Sequence, residues 1–218
     1  SKDGLEADVG WTSQGNMPVR FKLGDNPAHA LFGGKTGTGK SNFIHVLIHG
    51  LCHRYSPKEL EVYLLDYKEG VEFNCYAHPP LPHARLVATE SDIEYGIAVL
   101  EHLKREYQER AAVFKQLGVR DYRGFREQGH DSMPRAVVII DEFQKLFEGD
   151  RQSSETAEQL LVTLLKQARA AGIHVILSTQ TVRGLQNQSV SGLIGQLGCR
   201  VALSCSVDDS YLLLGSGN

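Results

Sequence analysis

The sequence predicts an α/β fold: a doubly wound, mostly parallel sheet with helices on both faces and a short N-terminal hairpin. Three observations carry that expectation. Apolar runs of strand length alternate with helical periodicities along the chain. Two of those runs, Arg135–Ile140 and Ile173–Leu177, are almost continuously apolar, as strands covered on both faces are. The run GKTGTGKS, Gly34 to Ser41, follows a short apolar strand (Ala30, Leu31, Phe32) and opens an amphipathic helix.

Taken in order, Val9 to Leu23 reads as a hairpin: an apolar stretch, a Ser13-Gln14-Gly15-Asn16 turn, then alternating Val19, Phe21 and Leu23. After the glycine-rich run, Phe43, Ile44, Leu47, Ile48 and Leu51 recur with helical spacing, and Ser56-Pro57 ends that helix before a strand at Val62–Leu65, with Asp66 at its carboxyl end. A proline-rich loop, His78 to Pro82, precedes a short strand around Leu86 and Val87. Ser91 and Glu94 form a capping box for a long helix. Its apolar positions run from Ile93 through Ile97, Leu100, Leu103, Tyr107, Ala111 and Phe114 to Leu117, and Gly118 closes it. The Arg135–Ile140 strand ends in Asp141-Glu142. A helix from Glu155 to Ala171 presents Leu160, Leu161, Leu164, Leu165 and Ala168 on one side and stops at Gly172; the next strand ends in Ser178-Thr179-Gln180. A last strand lies near Val201–Leu203, ahead of Leu212 to Asn218. The expected organisation is one domain over 1–218, with a hairpin over 1–24 leading into a nucleotide-binding core over 25–218.

Composition narrows the class. A 41% hydrophobic and 22% charged chain of 218 residues is ordinary for a globular domain, and no apolar run approaches a membrane span. A net charge of −3 gives no global signature of nucleic-acid binding, so any such contact must come from a local patch or from assembly. Cys52, Cys75, Cys199 and Cys205 show neither CxxC pairing nor metal-ligand spacing, which points to a reduced, cytoplasmic setting. The start at Ser1 suggests a piece of a longer protein, whose targeting or membrane anchor would lie elsewhere.

The candidate chemistry begins at the glycine-rich run. Gly34, Lys35, Thr36, Gly37, Thr38, Gly39, Lys40 and Ser41 form a loop whose backbone N–H groups can cradle a nucleotide triphosphate, ATP in the simplest reading. Lys40 faces the β and γ oxygens, and Ser41 is placed to hold Mg²⁺. Asp141, at the end of an apolar strand, can reach the same metal, and Glu142 can orient and polarise the attacking water. Gln180 ends the next strand, where it either senses the γ-phosphate or is a polar loop residue. A cation for transition-state charge is missing near the loop; Arg169 and Arg200 are candidates, acting from a neighbouring subunit, and a surface ion pair is the alternative for each. His45, His49 and His53 form a stripe without an acidic or Cys partner nearby in sequence, which reads as solvated or subunit-facing rather than metal-binding. The cluster Lys104, Arg105, Arg110, Lys115, Arg120, Arg123 and Arg126 is interleaved with acids, as in a salt-bridged helix face. Arg183, in the polar loop Thr181–Gln188, either faces a moving substrate or is simply exposed.

These residues resemble the motor domain of the FtsK/SpoIIIE DNA translocases, within the FtsK and HerA superfamily of P-loop ATPases. The resemblance rests on GKTGTGKS, LLDYK (Leu64–Lys68), LGVRDYRGF (Leu117–Phe125), VVIIDEF (Val137–Phe143), ARAAGIHVILSTQ (Ala168–Gln180), CRVAL (Cys199–Leu203) and LLGSG (Leu213–Gly217). It implies a RecA-like, Mg-dependent ATPase that assembles into a hexameric ring and threads double-stranded DNA through its centre. By position it assigns phosphate and metal to Lys40 and Ser41, metal and water to Asp141 and Glu142, γ-phosphate sensing to Gln180, and the trans arginine to Arg169 before Arg200. The chain departs from the family pattern at Tyr67, where proline is usual, at TQTVRG, and at Asn218, where aspartate is common. KEGVEF, Lys68 to Phe73, is also similar to the type VII secretion ATPases, which implies protein substrates as the alternative.

Overall fold

The computed structural model of the chain describes residues 1–68, 72–89, 92–181 and 191–215. It opens with an antiparallel hairpin of β1 (Leu5–Trp11) and β2 (Pro18–Leu23), a two-stranded sheet of its own. The hairpin starts at Leu5, ahead of the predicted Val9, because alternation already operates there: Leu5 and Ala7 pair with Leu23 and Phe21, and all four are buried. After β3 (Ala30–Gly33) and α1 (Lys40–Arg54) come β4 (Leu60–Asp66), β5 (Ala84–Ala88), α2 (Ile93–Leu117) and α3 (Tyr122–Glu127). The remainder is β6 (Arg135–Asp141), α4 (Arg151–Gln167), β7 (Ile173–Thr179), α5 (Ser191–Ile194), β8 (Cys199–Ala202) and α6 (Val207–Leu214).

Strands β3 to β8 form one six-stranded sheet in the order β5-β4-β6-β7-β3-β8, and every pairing is parallel. The pleat sorts the apolar strands into two cores. Ala136, Val138 and Ile140 of β6 pack toward α2 and α4, while Val137 and Ile139 pack toward α1 and the hairpin. Helices on both faces were expected; the hairpin joining α1 as a cover was not.

Several boundaries differ from the sequence reading for local reasons. Asp92 caps α2, its side chain accepting from the Glu94 N–H at 2.9 Å, so the Ser91 box is replaced; Ser91 itself lies outside the described residues. Helix α4 begins at Arg151 because Asp150 accepts from the Ser153 N–H at 2.8 Å, and its last turn, Ala168–Ala171, tightens to 3₁₀ before Gly172 at φ 73°. The short α3, capped by Asp121, went unpredicted: six residues are too few to show a helical period. Leu117, expected on the packing face of α2, is exposed. Tyr67 is buried in the core with its hydroxyl against Gly96 of α2, where a Cβ would collide, so this departure from the family pattern is a packing exchange and not a substrate contact.

Arg110 makes the ion pairs expected of a salt-bridged face, but in the core instead of at the surface. Only 2% exposed, its guanidinium donates to Glu61 Oε1 (3.0 Å), Glu106 Oε1 (2.8 Å) and the Pro134 and Ala171 carbonyls (2.7 and 3.2 Å), which clamps α2 to the sheet.

A second buried polar cluster lies at the amino-terminal ends of the strands. Arg135 donates to His174 Nε2 at 2.8 Å and to the Ser1 and Lys2 carbonyls, so His174 Nδ1–H donates to the Ala28 carbonyl at 2.8 Å. His29 Nδ1 accepts from the Val175 N–H at 3.0 Å. Burial pushes His29 down to about 4 and His174 to about 3, with Arg169 and Arg135 respectively adding to it. Both rings are neutral when folded and take a proton near 6.5 when unfolded, so their contribution is whole above that pH and is lost as pH falls toward 4 and 3. The loss is on the order of 3 kcal/mol for His29 and about 5 kcal/mol for His174. The urea midpoint is therefore expected to fall steeply below pH 6.5, and H174Q, which can keep both hydrogen bonds, should flatten the fall by one proton. Equal slopes for the two proteins would refute this account.

Candidate active site at the carboxyl edge of the sheet

Register builds the site. Asp66 lies opposite Asp141, Asp141 opposite Ser178, and Thr179 opposite Gly33, so the ends of β4, β6, β7 and β3 line one edge. The loop Gly34–Ser41 leaves β3 there. Gly37 and Gly39 hold φ of 79° and 90°, the left-handed region that favours glycine, and a side chain on Gly34 would meet Leu203 Cβ at 2.9 Å. Lys35 N–H is anchored to the Ser204 carbonyl at 3.1 Å, and the Thr38 hydroxyl to the Lys35 carbonyl at 2.7 Å. Helix α1 starts at Lys40 with no side-chain cap, so its N-terminal N–H groups face the loop, a ready anion seat. The cavity there, about 330 Å³, is lined by loop residues with Lys68, Glu72 and Gln180 opposite; an adjoining one of about 580 Å³ shares Lys35, Thr36 and Gln180.

Lys40 is 5% exposed, and its Nζ donates to Asp141 Oδ1 at 2.6 Å, Glu142 Oε1 at 2.8 Å and Ser178 Oγ at 3.1 Å. The Ser178 hydroxyl donates in turn to Asp141 Oδ1 at 2.7 Å. Glu142 has φ 52°, a strained backbone for a non-glycine residue that turns its carboxylate inward. Its second oxygen accepts from Gln144 Nε2 at 2.6 Å and from the Gln180 N–H at 3.4 Å. The Gln180 side chain accepts from the Thr36 hydroxyl at 2.9 Å, joining the end of β7 to the loop.

Ser41 Oγ donates to Glu72 Oε1 at 2.8 Å. Ser41 and Asp141 offer two oxygen donors of the kind magnesium takes, and the ammonium seated between Asp141 and Glu142 marks a place made for positive charge. Among the described residues no group of three or more His, Cys, Asp and Glu could hold a metal ion.

Lys40, Ser41, Asp141, Glu142 and Gln180 thus converge, whereas the two arginines do not. Arg169, exposed, donates to the Asp25 carbonyl at 3.2 Å and precedes β7, so it lies at the opposite end of the sheet, roughly 20 Å along the strand. Arg200 is spent on the Ile194, Leu197 and Leu213 carbonyls of its own fold. Arg183, Asn218 and the second half of TQTVRG, residues 182–184, lie outside the described residues. The histidine stripe does have an acidic neighbour in space: His45 Nε2 is 3.8 Å from Glu72, and His45 Nδ1 hydrogen-bonds the Tyr76 hydroxyl at 2.7 Å.

Sequence reasoning missed Asp66, Glu72, Gln144 and Ser178. Asp66 is 1% exposed and accepts from the Lys68 and Glu72 N–H groups at 2.7 and 2.8 Å; burial raises its carboxyl above the ordinary range, with Asp141 adding to the effect. Its place at a strand end was the available signal.

The model of the FtsK/SpoIIIE family matches residues 1–183. The chain belongs to that family. It is 35% identical to the DNA translocase FtsK of Caldanaerobacter subterraneus over 82% of its length and 24% of the relative's. It is 32% identical to the DNA translocase SftA of Bacillus subtilis over 94% of its length and 21% of the relative's. This family member thus spans about a quarter of the curated relatives it matches. Among solved structures, the cytoplasmic domain of the Thermomonospora curvata type VII secretion ATPase EccC superposes with a TM-score of 0.80 at 24% identity, covering 98% of this chain and 25% of that one. The conjugation coupling protein TcpA with ATPγS gives 0.74 at 20% identity, covering 97% and 58%. The fold is that of a P-loop ATPase, and no helix among the described residues is long and apolar enough to cross a membrane.

Proposed function

We propose that residues 1–218 work as one cytoplasmic ATPase domain that binds Mg-ATP and uses its hydrolysis to move double-stranded DNA as part of a ring, hexameric in the simplest form. The observation that carries this is the buried Lys40 ammonium held by Asp141 and Glu142 beside a phosphate-binding loop, in a chain whose curated relatives are DNA translocases. On binding, the backbone of Gly34–Gly39 and the N-terminus of α1 receive the phosphates, and Lys40 exchanges its carboxylates for β and γ oxygens. Ser41 and Asp141 would hold magnesium, which supplies charge stabilisation at the phosphates. Glu142, turned inward by its backbone and held by Gln144 on Oε2, orients water and accepts its proton at Oε1, the oxygen that Lys40 vacates. Gln180, bridged to Thr36, reports on the γ-phosphate. Arg169, exposed and remote from its own loop, serves a neighbour's site, a role supported by the commitment of Arg200 elsewhere.

The test is ATP turnover with and without duplex DNA across a salt series. DNA is expected to stimulate turnover several-fold, with the stimulation failing steeply between about 50 and 200 mM salt as phosphate contacts are screened. Indifference to DNA with a response to peptide would replace this reading by protein secretion, and negligible turnover throughout would leave a nucleotide-gated switch.

A further inference from the structure

The carboxylate of Glu72 has no part in the roles assigned above, yet it is the acceptor for the Ser41 hydroxyl, at 2.8 Å. Its position is set from below. The buried Asp66 carboxylate takes the Lys68 N–H on one oxygen and the Glu72 N–H on the other, fixing where the Glu72 main chain stands at the end of β4. From there Glu72 Oε1 faces Ser41 and, at 3.7 Å, Lys68 Nζ, while Oε2 faces His45 at 3.8 Å.

A serine hydroxyl has one proton and two lone pairs. With the proton directed to Glu72, the lone pairs of Ser41 are left for a cation in the loop cavity. Without that acceptor, a serine in the first turn of a helix can turn its proton elsewhere, including to a backbone carbonyl of the preceding turn. The carboxylate also adds a negative charge just outside the donor set, where it favours a divalent cation.

We infer that Glu72 is a positioning residue for the metal-binding hydroxyl: it orients Ser41 toward magnesium and makes nucleotide binding depend on the metal. This rests on the Mg-ATP reading above. The experiment is a titration of a fluorescent ATP analogue into the full chain, with magnesium and with EDTA, for wild type, E72Q and E72A. Wild type should bind more tightly with magnesium. E72A should lose about tenfold of that gain while metal-free affinity stays within about twofold, and E72Q, which keeps an acceptor without the charge, should fall between. In an S41A background, where only the charge of Glu72 is left to act, E72A should have a clearly smaller effect than in wild type.

Unchanged magnesium dependence in E72A, or an equal loss with and without the metal, would overturn the inference, as would full additivity with S41A. A wild-type chain that binds no nucleotide under either condition would instead overturn the Mg-ATP reading on which the inference stands.

Discussion

Replacing Glu142 with glutamine is expected to leave ATP binding within a few-fold of wild type and to lower turnover by about 10²–10⁴, the usual contribution of a positioned general base. The site is built to accept the change. One oxygen of Glu142 receives the Lys40 ammonium and an amide oxygen can do the same; the other receives Gln144 Nε2. A glutamine would put an amide N–H₂ there, and Gln144, whose own Oε1 is buried without a hydrogen-bond partner, can turn that oxygen to meet it. Binding of a fluorescent nucleotide and phosphate release, measured on the same preparation, separate the two effects. Preserved turnover would remove Glu142 from the base role.

Lys40→Ala should damage the protein twice. Nucleotide affinity is expected to fall at least a hundredfold, since the loop loses its cation for the β and γ oxygens. The empty protein should also become less stable, because Asp141 and Glu142, 1% and 3% exposed, would face each other across a vacated space with no cation between them. Breaking a buried ion pair from one side costs about 3–5 kcal/mol. At this chain length that is roughly a 10 °C drop in Tm, readable by scanning fluorimetry without nucleotide. An unchanged Tm would mean that the ammonium contributes nothing to the unliganded fold.

The parts of the site legible in the sequence are those carried by contiguous residues. The loop Gly34–Ser41 and the pair Asp141-Glu142 announce themselves because their chemistry needs neighbours in the chain. Gln180 was left open until the β7 register set it beside Thr36. Glu72 and Ser41 lie far apart in sequence, and only the parallel register of β4 and β6 brings the Asp66 end to the loop. The cores were readable from periodicity, whereas Arg110 was not, because a charged residue on a charged helix face looks the same whether solvent or Glu61 receives it. Gly96 was equally silent; its need is set by Tyr67, on another element.

The seat that Lys40 finds between two acids bears on how the domain empties. A cation stranded in a dry cleft would cling to its last anion, and departing product would be held back by the energy of leaving that charge bare. In the cycle we propose, the vacancy left by product would be refilled from within by Lys40, so discharge would become a swap of oxygen partners and the vacated cleft would keep its shape for the next arrival. Affinity is thereby held below what the loop alone would give, a compromise suited to a machine whose cycle requires letting go as much as catching hold.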